Sequence, residues 1–231
     1  MQPLVSVIIP SVRDTSLNEK CLKWQIMREF EVIIVRPQGK RKGCFYSLNE
    51  DMNRGIRQAN GELIISYQDM IEIKPDTLER FFQHYKDDKK VIVGAVGDQY
   101  LTLEPPVKVW QDPRRTTQYG TYYECHEVDV EYTLAAIPRQ AFYDVGGFDE
   151  EWDRYAAISE KEINARMYKV GYKFYLDQAI EYKAIQHPRL HGKEEWDKHY
   201  FAGEKYYLQC IKEIEKGKRL KLDYLRKNAT L

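Results

Sequence analysis

The segment Glu62-Leu-Ile-Ile-Ser-Tyr-Gln-Asp-Met70 decides the fold of this 231-residue chain. Residues 62–67 form an apolar run with the length and composition of a strand that is buried on both faces of a sheet. Gln68 and Asp69 follow this run directly, and open α/β sheets bind their ligands at the carboxyl ends of the strands. The segment therefore predicts a buried strand of an α/β sheet, with Asp69 at a ligand site.

Short strands and amphipathic helices alternate on both sides of this segment. Apolar, β-branched runs predict three more strands, at 4–9, 31–35 and 91–96. Apolar residues at helical spacing predict a helix in each connection, near 17–24, 45–59 and 75–85. Because helices that alternate with strands favour right-handed crossovers between parallel strands, this half of the chain predicts a parallel, twisted sheet.

The pattern changes after Gly97. Residues 98–127 contain prolines, adjacent arginines and a tyrosine tract without clear periodicity, and we predict irregular structure for them. The elements predicted beyond this segment are a strand near 130–137, a helix from Ser159, strands near 172–176 and 180–186, and a long helix from about 193.

Charge and composition narrow the class of protein. The 36 basic residues equal the 36 acidic ones, so no net field draws the chain to nucleic acid or to an anionic membrane. No apolar stretch has the length of a membrane span, and the first residues lack the features of a signal peptide, so we expect a cytoplasmic protein. Four scattered cysteines have no zinc-site spacing and indicate reduced thiols.

The order of several short motifs resembles the family 2 glycosyltransferases of the GT-A fold. The resemblance covers residues 4 to about 176. Its segments are Val5-Ser-Val-Ile-Ile-Pro10, Asn53-Arg-Gly-Ile56 with Ala59-Asn-Gly-Glu62, Lys74-Pro-Asp-Thr-Leu78, and Gly146-Gly-Phe-Asp-Glu150 followed by Glu160, Glu162 and Arg166. It implies a Rossmann-like, open, twisted, mixed β-sheet flanked by helices. The implied donor half is about 1–97 and the acceptor half about 98–192, with 193–231 as a helical extension packed on the same domain.

The resemblance also implies an activity. That family transfers a sugar from a nucleotide-sugar donor to an acceptor hydroxyl, on a carbohydrate or another compound, commonly with inversion and with Mn²⁺ or Mg²⁺. The cation would neutralise the departing diphosphate, and a carboxylate on the other side of the sugar would accept the proton of the acceptor. By resemblance, Asp69 is the cation ligand and Glu160 is the catalytic base.

The remaining site residues are carried over from the same motifs. The implied donor contacts are Pro10, Ser11, Arg13, Gln68 and Asp69. The implied acceptor contacts are Gly147, Trp152 and Asp153, with core packing as the alternative for Trp152. His187, or alternatively His191, is the implied second metal ligand.

Departures from the family pattern leave alternatives open. The family's metal motif is usually D-x-D, whereas Gln68-Asp69-Met70 keeps one carboxylate, and a turn-forming Asp is the alternative. Ser159 and Glu162 fit a capping box, and Glu162 and Arg166 fit a surface ion pair, so Glu162 also has a purely structural interpretation.

Two other functions compete with catalysis of sugar transfer. The reduced metal motif motivates a catalytically silent protein that binds nucleotide sugars. Basic runs at 36–43 and 212–227 motivate a glycosyltransferase that acts on modified nucleic-acid bases. The neutral net charge does not favour nucleic acid, and the donor sugar, the nucleotide base and the oligomeric state stay open.

Overall fold

The computed structural model describes residues 3–39, 43–186 and 192–225. In these residues one sheet contains nine strands. They are β1 (Val5–Pro10), β2 (Phe30–Val35), β3 (Leu63–Tyr67), β4 (Ile71–Ile73), β5 (Val91–Leu103), β6 (Pro106–Trp110), β7 (Tyr122–Glu124), β8 (Leu134–Pro138) and β9 (Lys173–Ile185). The α-helices are α1 (Ser16–Lys23), α2 (Leu48–Gln58), α3 (Thr77–Asp87), α4 (Arg139–Val145), α5 (Ser159–Lys169) and α6 (Lys193–Glu215), and short 3-10 helices span Glu127–Asp129 and Glu150–Arg154.

The sheet is mixed, with the strand order β2-β1-β3-β8-β5-β9-β4. β1 pairs in parallel with β2 and β3, and β5 pairs in parallel with β9. β8 runs antiparallel between β3 and β5, and β4 is antiparallel to β9. The arrangement confirms the α/β class with a mixed sheet flanked by helices. The four strands that the alternation of elements predicts to be parallel, β1, β2, β3 and β5, do run in one direction, because β3 and β5 are both antiparallel to β8. The antiparallel β8 comes from later in the chain and lies between β3 and β5.

Two apolar layers enclose the central strands. Successive residues of a strand point to opposite faces, so Val7 and Ile8 of β1 enter different layers. One layer packs against α2, α4 and α5, and the other against α1 and α3. Because both faces are covered, β1 and β3 are buried at every residue, as the apolar run at 62–67 predicts.

The segment predicted to be irregular forms regular structure. β5 continues to Leu103 and turns back into β6, while β7 pairs with β9. β6 contains only the short alternation Val107-Lys108-Val109, and every residue of it is exposed. Two buried carboxylates hold the hairpin, because Asp98 accepts from the Asp112 N–H (3.1 Å) and Asp112 from the Gly97 N–H (3.0 Å). The prediction of irregular structure is wrong for these strands.

The last part of the chain completes the core. Cys210 and Ile214 of α6 are buried, and Cys210 packs against Trp152. Leu225 then enters the apolar layer beneath α2. The predicted division between 192 and 193 adjoins residues 187–191, which lie outside the described residues. None of the described helices has the length and apolar character that a membrane crossing requires.

Candidate active site

A cavity of about 240 Å³ opens where β1 and β3 end. Pro10 and Gln68 line it from these two strands, Asn49 from the start of α2, and Glu160 from the start of α5. β1 and β3 are parallel neighbours, so their carboxyl ends meet at one edge of the sheet, where such folds bind ligands. The cavity thus brings together three side chains that the sequence predicts for the site, namely Pro10, Gln68 and Glu160.

Hydrogen bonds on both sides fix the backbone of Gln68. Its N–H donates to the carbonyl of Thr133 (2.9 Å), just before the antiparallel strand β8. Its carbonyl accepts from the Asn18 side chain (2.9 Å) in α1. The end of β3 is therefore held by elements from both sides of the sheet, and the Gln68 side chain faces the cavity from a rigid position.

Asp69 lies beside the cavity and contacts two other predicted donor residues. Its Oδ2 accepts from the Ser11 hydroxyl (2.7 Å), and its Oδ1 and Oδ2 lie 3.3 Å and 3.4 Å from Arg13 Nη1. The next residue, Met70, has a left-handed backbone (φ 61°), which turns the chain sharply into β4. The structure thus brings Ser11, Arg13 and Asp69 together as one polar cluster.

Glu160 is placed as a proton acceptor would have to be. It lies in the first turn of α5, is partly exposed, and lines the cavity. Burial among protein atoms raises the pKa of its carboxyl above the ordinary value of 4.5, and the negative charge of Glu131 adds to the increase. A carboxylate with a raised pKa is a stronger base, which suits it to take a proton from a hydroxyl group.

Glu131 is a second carboxylate of the cavity that the sequence analysis missed. Its side chain is 51% exposed and lies 3.5 Å from Arg114 Nη2. Arg114 is itself fixed by Asp112, which accepts from its Nε (2.9 Å) and Nη2 (2.6 Å). Residue 131 lies within the strand predicted near 130–137, and no motif marks it as a site residue. Only the placement of β8 beside β3 brings it to the site.

Glu162 has a structural role, and its predicted ion pair with Arg166 is confirmed. α5 follows Ile158, and no side chain caps it, so the capping box predicted for Ser159 and Glu162 is wrong. Glu162 and Arg166 are both 0% exposed, so their pair does not lie on the surface. The Arg166 guanidinium donates to both oxygens of Glu162 (2.9 Å each), and Arg219 donates to Oε1 (3.2 Å). The carboxylate is turned inward because the segment after α6 covers it.

The predicted acceptor contacts lie behind the cavity wall. Trp152 is 1% exposed and packs against α6, which agrees with the alternative prediction of core packing. Asp153 is fully buried and accepts from the backbone N–H groups of Asn49 (2.8 Å) and Glu50 (3.1 Å), which caps α2. A Cβ on Gly147 would lie 2.6 Å from Asn53 Oδ1. Packing and capping account for all three residues, so we do not propose them as acceptor contacts.

Among the residues that the structure describes, the donor set at Asp69 does not fit a divalent cation. Both carboxylate oxygens are engaged by Ser11 and Arg13. Two nearby carboxylates, Glu72 and Glu181, are paired with Lys183 (2.8 Å) and with Lys74 and Arg115 (2.5 Å and 2.7 Å). Across residues 3–39, 43–186 and 192–225, no three acidic, histidine or cysteine side chains group as metal ligands. His187 and His191 lie outside these ranges, and no step proposed below uses a metal ion.

The basic run after β2 contacts the donor loop. Arg36 donates to the carbonyls of Ser11 (3.2 Å) and Arg13, and its own carbonyl accepts from Arg54. Lys40, Arg41 and Lys42 lie outside the described residues. Arg36 therefore holds the loop that carries Ser11 and Arg13, a role that the sequence pattern alone does not distinguish from a solvated basic loop.

Comparison with known proteins shows similarity in structure only. No family model and no curated protein matches the sequence. The crystal structure of S. aureus TarS matches with a TM-score of 0.59 and 14% identity, over 79% of this chain and 36% of that chain. TarS 1–349 matches in complex with UDP (TM-score 0.56, 15% identity, over 80% of this chain) and without it (0.58, 14%, over 78%).

This chain spans 61% and 60% of the two TarS 1–349 chains, less than two thirds of their length. At these identities the matches show the fold and do not assign a family. This chain shares the fold of these TarS structures.

Proposed function

We propose that this protein is a nucleotide-sugar-dependent glycosyltransferase of the family 2 type. The observation that carries the proposal is the cavity that Gln68 and Glu160 share, beside the cluster of Ser11, Arg13 and Asp69. Gln68 and Glu160 would then contact a ligand in one cavity, and the donor-side cluster directly follows Pro10 and Gln68 in the chain. One of the similar TarS structures is a complex with UDP, which supports a nucleoside diphosphate donor and makes UDP the first nucleotide to test.

The donor would lie along the carboxyl ends of β1 and β3. Pro10 and Gln68 provide the cavity wall, and the hydroxyl of Ser11 and the guanidinium of Arg13 lie next to it. A guanidinium binds phosphate oxygens through pairs of N–H donors, so the diphosphate belongs on the Arg13 side. The sugar would then point into the cavity toward Glu160.

Glu160 would act as the general base. As the acceptor oxygen attacks the anomeric carbon, its proton passes to the Glu160 carboxylate, and the bond to the diphosphate breaks with its electron pair on the phosphate oxygen. Attack opposite to the leaving group inverts the anomeric centre. A well-placed general base contributes roughly 10²–10⁴-fold to the rate. The raised pKa of Glu160 makes it a better base than an exposed glutamate.

The first experiment tests donor binding and transfer together. Purified protein is screened by thermal shift against UDP, GDP and their sugar conjugates, since a ligand of the native state raises the melting temperature. A donor that binds is then used in a transfer assay with mixed carbohydrate acceptors. We expect Glu160→Gln to lower kcat by roughly 10²-fold or more while the donor still binds. Glu79→Gln makes the same change in the first turn of α3, at an exposed position, and serves as the matched control.

The outcomes separate the competing functions. Normal transfer by Glu160→Gln would show that Glu160 is not the base. Donor binding without transfer or donor hydrolysis, across the whole panel, would identify a silent binding protein. Salt-sensitive binding of a DNA duplex at low ionic strength would favour a nucleic-acid acceptor instead.

A further inference from the structure

We infer that Arg13 takes the place of a divalent cation in this protein: its guanidinium binds the donor diphosphate, so that nucleotide binding needs no metal ion. The inference rests on the proposed function and specifies how the same site holds its donor. It starts from the contacts of Asp69, the residue that the family resemblance implies as a metal ligand.

The Asp69 carboxylate is already neutralised by a protein side chain. Arg13 Nη1 lies 3.3 Å and 3.4 Å from its two oxygens, and the Ser11 hydroxyl donates to Oδ2 at 2.7 Å. Asp69 is 10% exposed, so the pair is only partly screened by water. A cation that bound Asp69 would have to displace this guanidinium. The single carboxylate of Gln68-Asp69-Met70 would provide few of the oxygen ligands that a divalent cation requires.

Arg13 is held in position from two directions. Its backbone N–H donates to the Ser11 hydroxyl (2.9 Å), which fixes the turn after β1. Arg36 donates to the carbonyls of Ser11 and Arg13 and so ties this turn to the end of β2. Two guanidinium groups therefore meet at the loop beside the cavity, where the resemblance places a metal ion.

The chemistry of a guanidinium suits the role. The Arg13 side chain is 24% exposed, so a ligand from solvent can reach it. A guanidinium has five N–H donors in a fixed plane and stays charged at every pH at which the protein is folded. When the bond between sugar and diphosphate breaks, the negative charge that develops on the phosphate oxygens would be met by this fixed positive group. Asp69 then acts as a positioning residue that aims Arg13.

The test compares nucleotide binding with and without metal. Isothermal titration measures the Kd of UDP, or of the nucleotide that the screen selects, in EDTA and in Mn²⁺. For the wild-type protein we expect the two Kd values to agree within about twofold. Arg13→Gln should weaken binding at least tenfold in EDTA, and Arg13→Lys should be intermediate, because lysine keeps the charge and loses the paired donors.

The matched control is Arg28→Gln. Arg28 is exposed and donates only locally, to the carbonyl of Lys23 in the same half of the chain, and its replacement should leave Kd unchanged. A circular dichroism melt checks that each variant is folded, and Arg13→Lys retains a measurable effect if Arg13→Gln is unstable.

The result that overturns the inference is nucleotide binding that requires Mn²⁺ and survives Arg13→Gln, which would leave the proposed function intact. A wild-type protein that binds no nucleotide in either buffer would instead remove the proposed function, and this inference with it.

Discussion

The Asp69–Arg13 pair and the Glu162–Arg166 pair join the same two chemical groups in different surroundings. In the first, the side chains are 10% and 24% exposed, and the pair lies at the loop after β1, beside the cavity. In the second, both side chains are fully buried between α5 and the glycine turn at 146–147. Both pairs lie within residues 4 to about 176, the range over which the chain resembles family 2 glycosyltransferases, so resemblance alone does not distinguish their roles.

The exposure of the two guanidinium groups to solvent explains the difference. Besides Glu162, the Arg166 guanidinium donates to the carbonyls of Val145 (2.7 Å) and Gly147 (2.9 Å), and it is closed off from solvent. It has no surface left for a ligand. The Arg13 side chain is 24% exposed, so a ligand from solvent can reach it. Burial thus indicates a stabilising role for the Glu162–Arg166 pair, and the Asp69–Arg13 pair is the one we propose for binding. Glu162→Gln and Asp69→Asn test this division.

Removing the buried carboxylate should have the largest effect on stability. Glu162→Gln leaves the fully buried Arg166 guanidinium without its counterion, and breaking a buried pair in this way costs about 3–5 kcal/mol of unfolding free energy. Arg219, which also donates to Glu162, loses the same partner. Urea unfolding followed by circular dichroism measures the change.

Glu79→Gln, an identical change at an exposed site, should leave the unfolding free energy within about 0.5 kcal/mol of wild type. If Glu162→Gln changed the unfolding free energy as little as Glu79→Gln, the Glu162–Arg166 pair would not stabilise the fold as we expect.

The sequence predicted the donor half better than the acceptor half, and the two pairs show why. Asp69 was placed correctly at the end of a strand because an apolar run buried on both faces is a local signal. Glu162 was predicted as a cap or a surface partner because its local pattern fits both. The residue that covers it, Arg219, lies 57 positions further along the chain, and no local periodicity reports such a contact.

The same limit applies to the cavity. Its wall includes Glu131, which reaches the site only because β8 inserts between β3 and β5, a pairing that strand alternation does not predict. The sequence analysis named Arg13 and Asp69 separately as donor contacts. That they neutralise each other follows from a contact across 56 positions, which the structure alone reveals.

The second, smaller effect concerns Glu160, whose ionisation should make the stability of the fold depend on pH. Its pKa in the folded protein is raised above 4.5, so the folded state binds this proton more tightly than the unfolded state does. The resulting stability is fully present below pH 4.5 and is lost as the pH rises through the raised pKa. Glu160→Gln, which cannot ionise, should therefore melt at a higher temperature than wild type at pH 8, and the difference should vanish near pH 4.5.

Thermal melts from pH 4.5 to 8 measure this difference, with Glu79→Gln as the control that should follow wild type. A Glu160→Gln protein that melts below wild type at pH 8 would show that the charged form of Glu160 is stabilised in the fold, which contradicts a desolvated base.

The smallest effect on stability should come from Asp69. Asp69→Asn removes the charge from a pair that is partly exposed to water, and such pairs contribute about 1 kcal/mol or less because water and salt screen them. The unfolding free energy of this variant, measured in urea, should therefore be near that of wild type and well above that of Glu162→Gln. Nucleotide binding should still suffer, since Asp69 aims the Arg13 guanidinium, but less than in Arg13→Gln, which removes the guanidinium itself. If Asp69→Asn destabilised the fold as strongly as Glu162→Gln, both pairs would be structural, and burial would not separate a binding pair from a stabilising one.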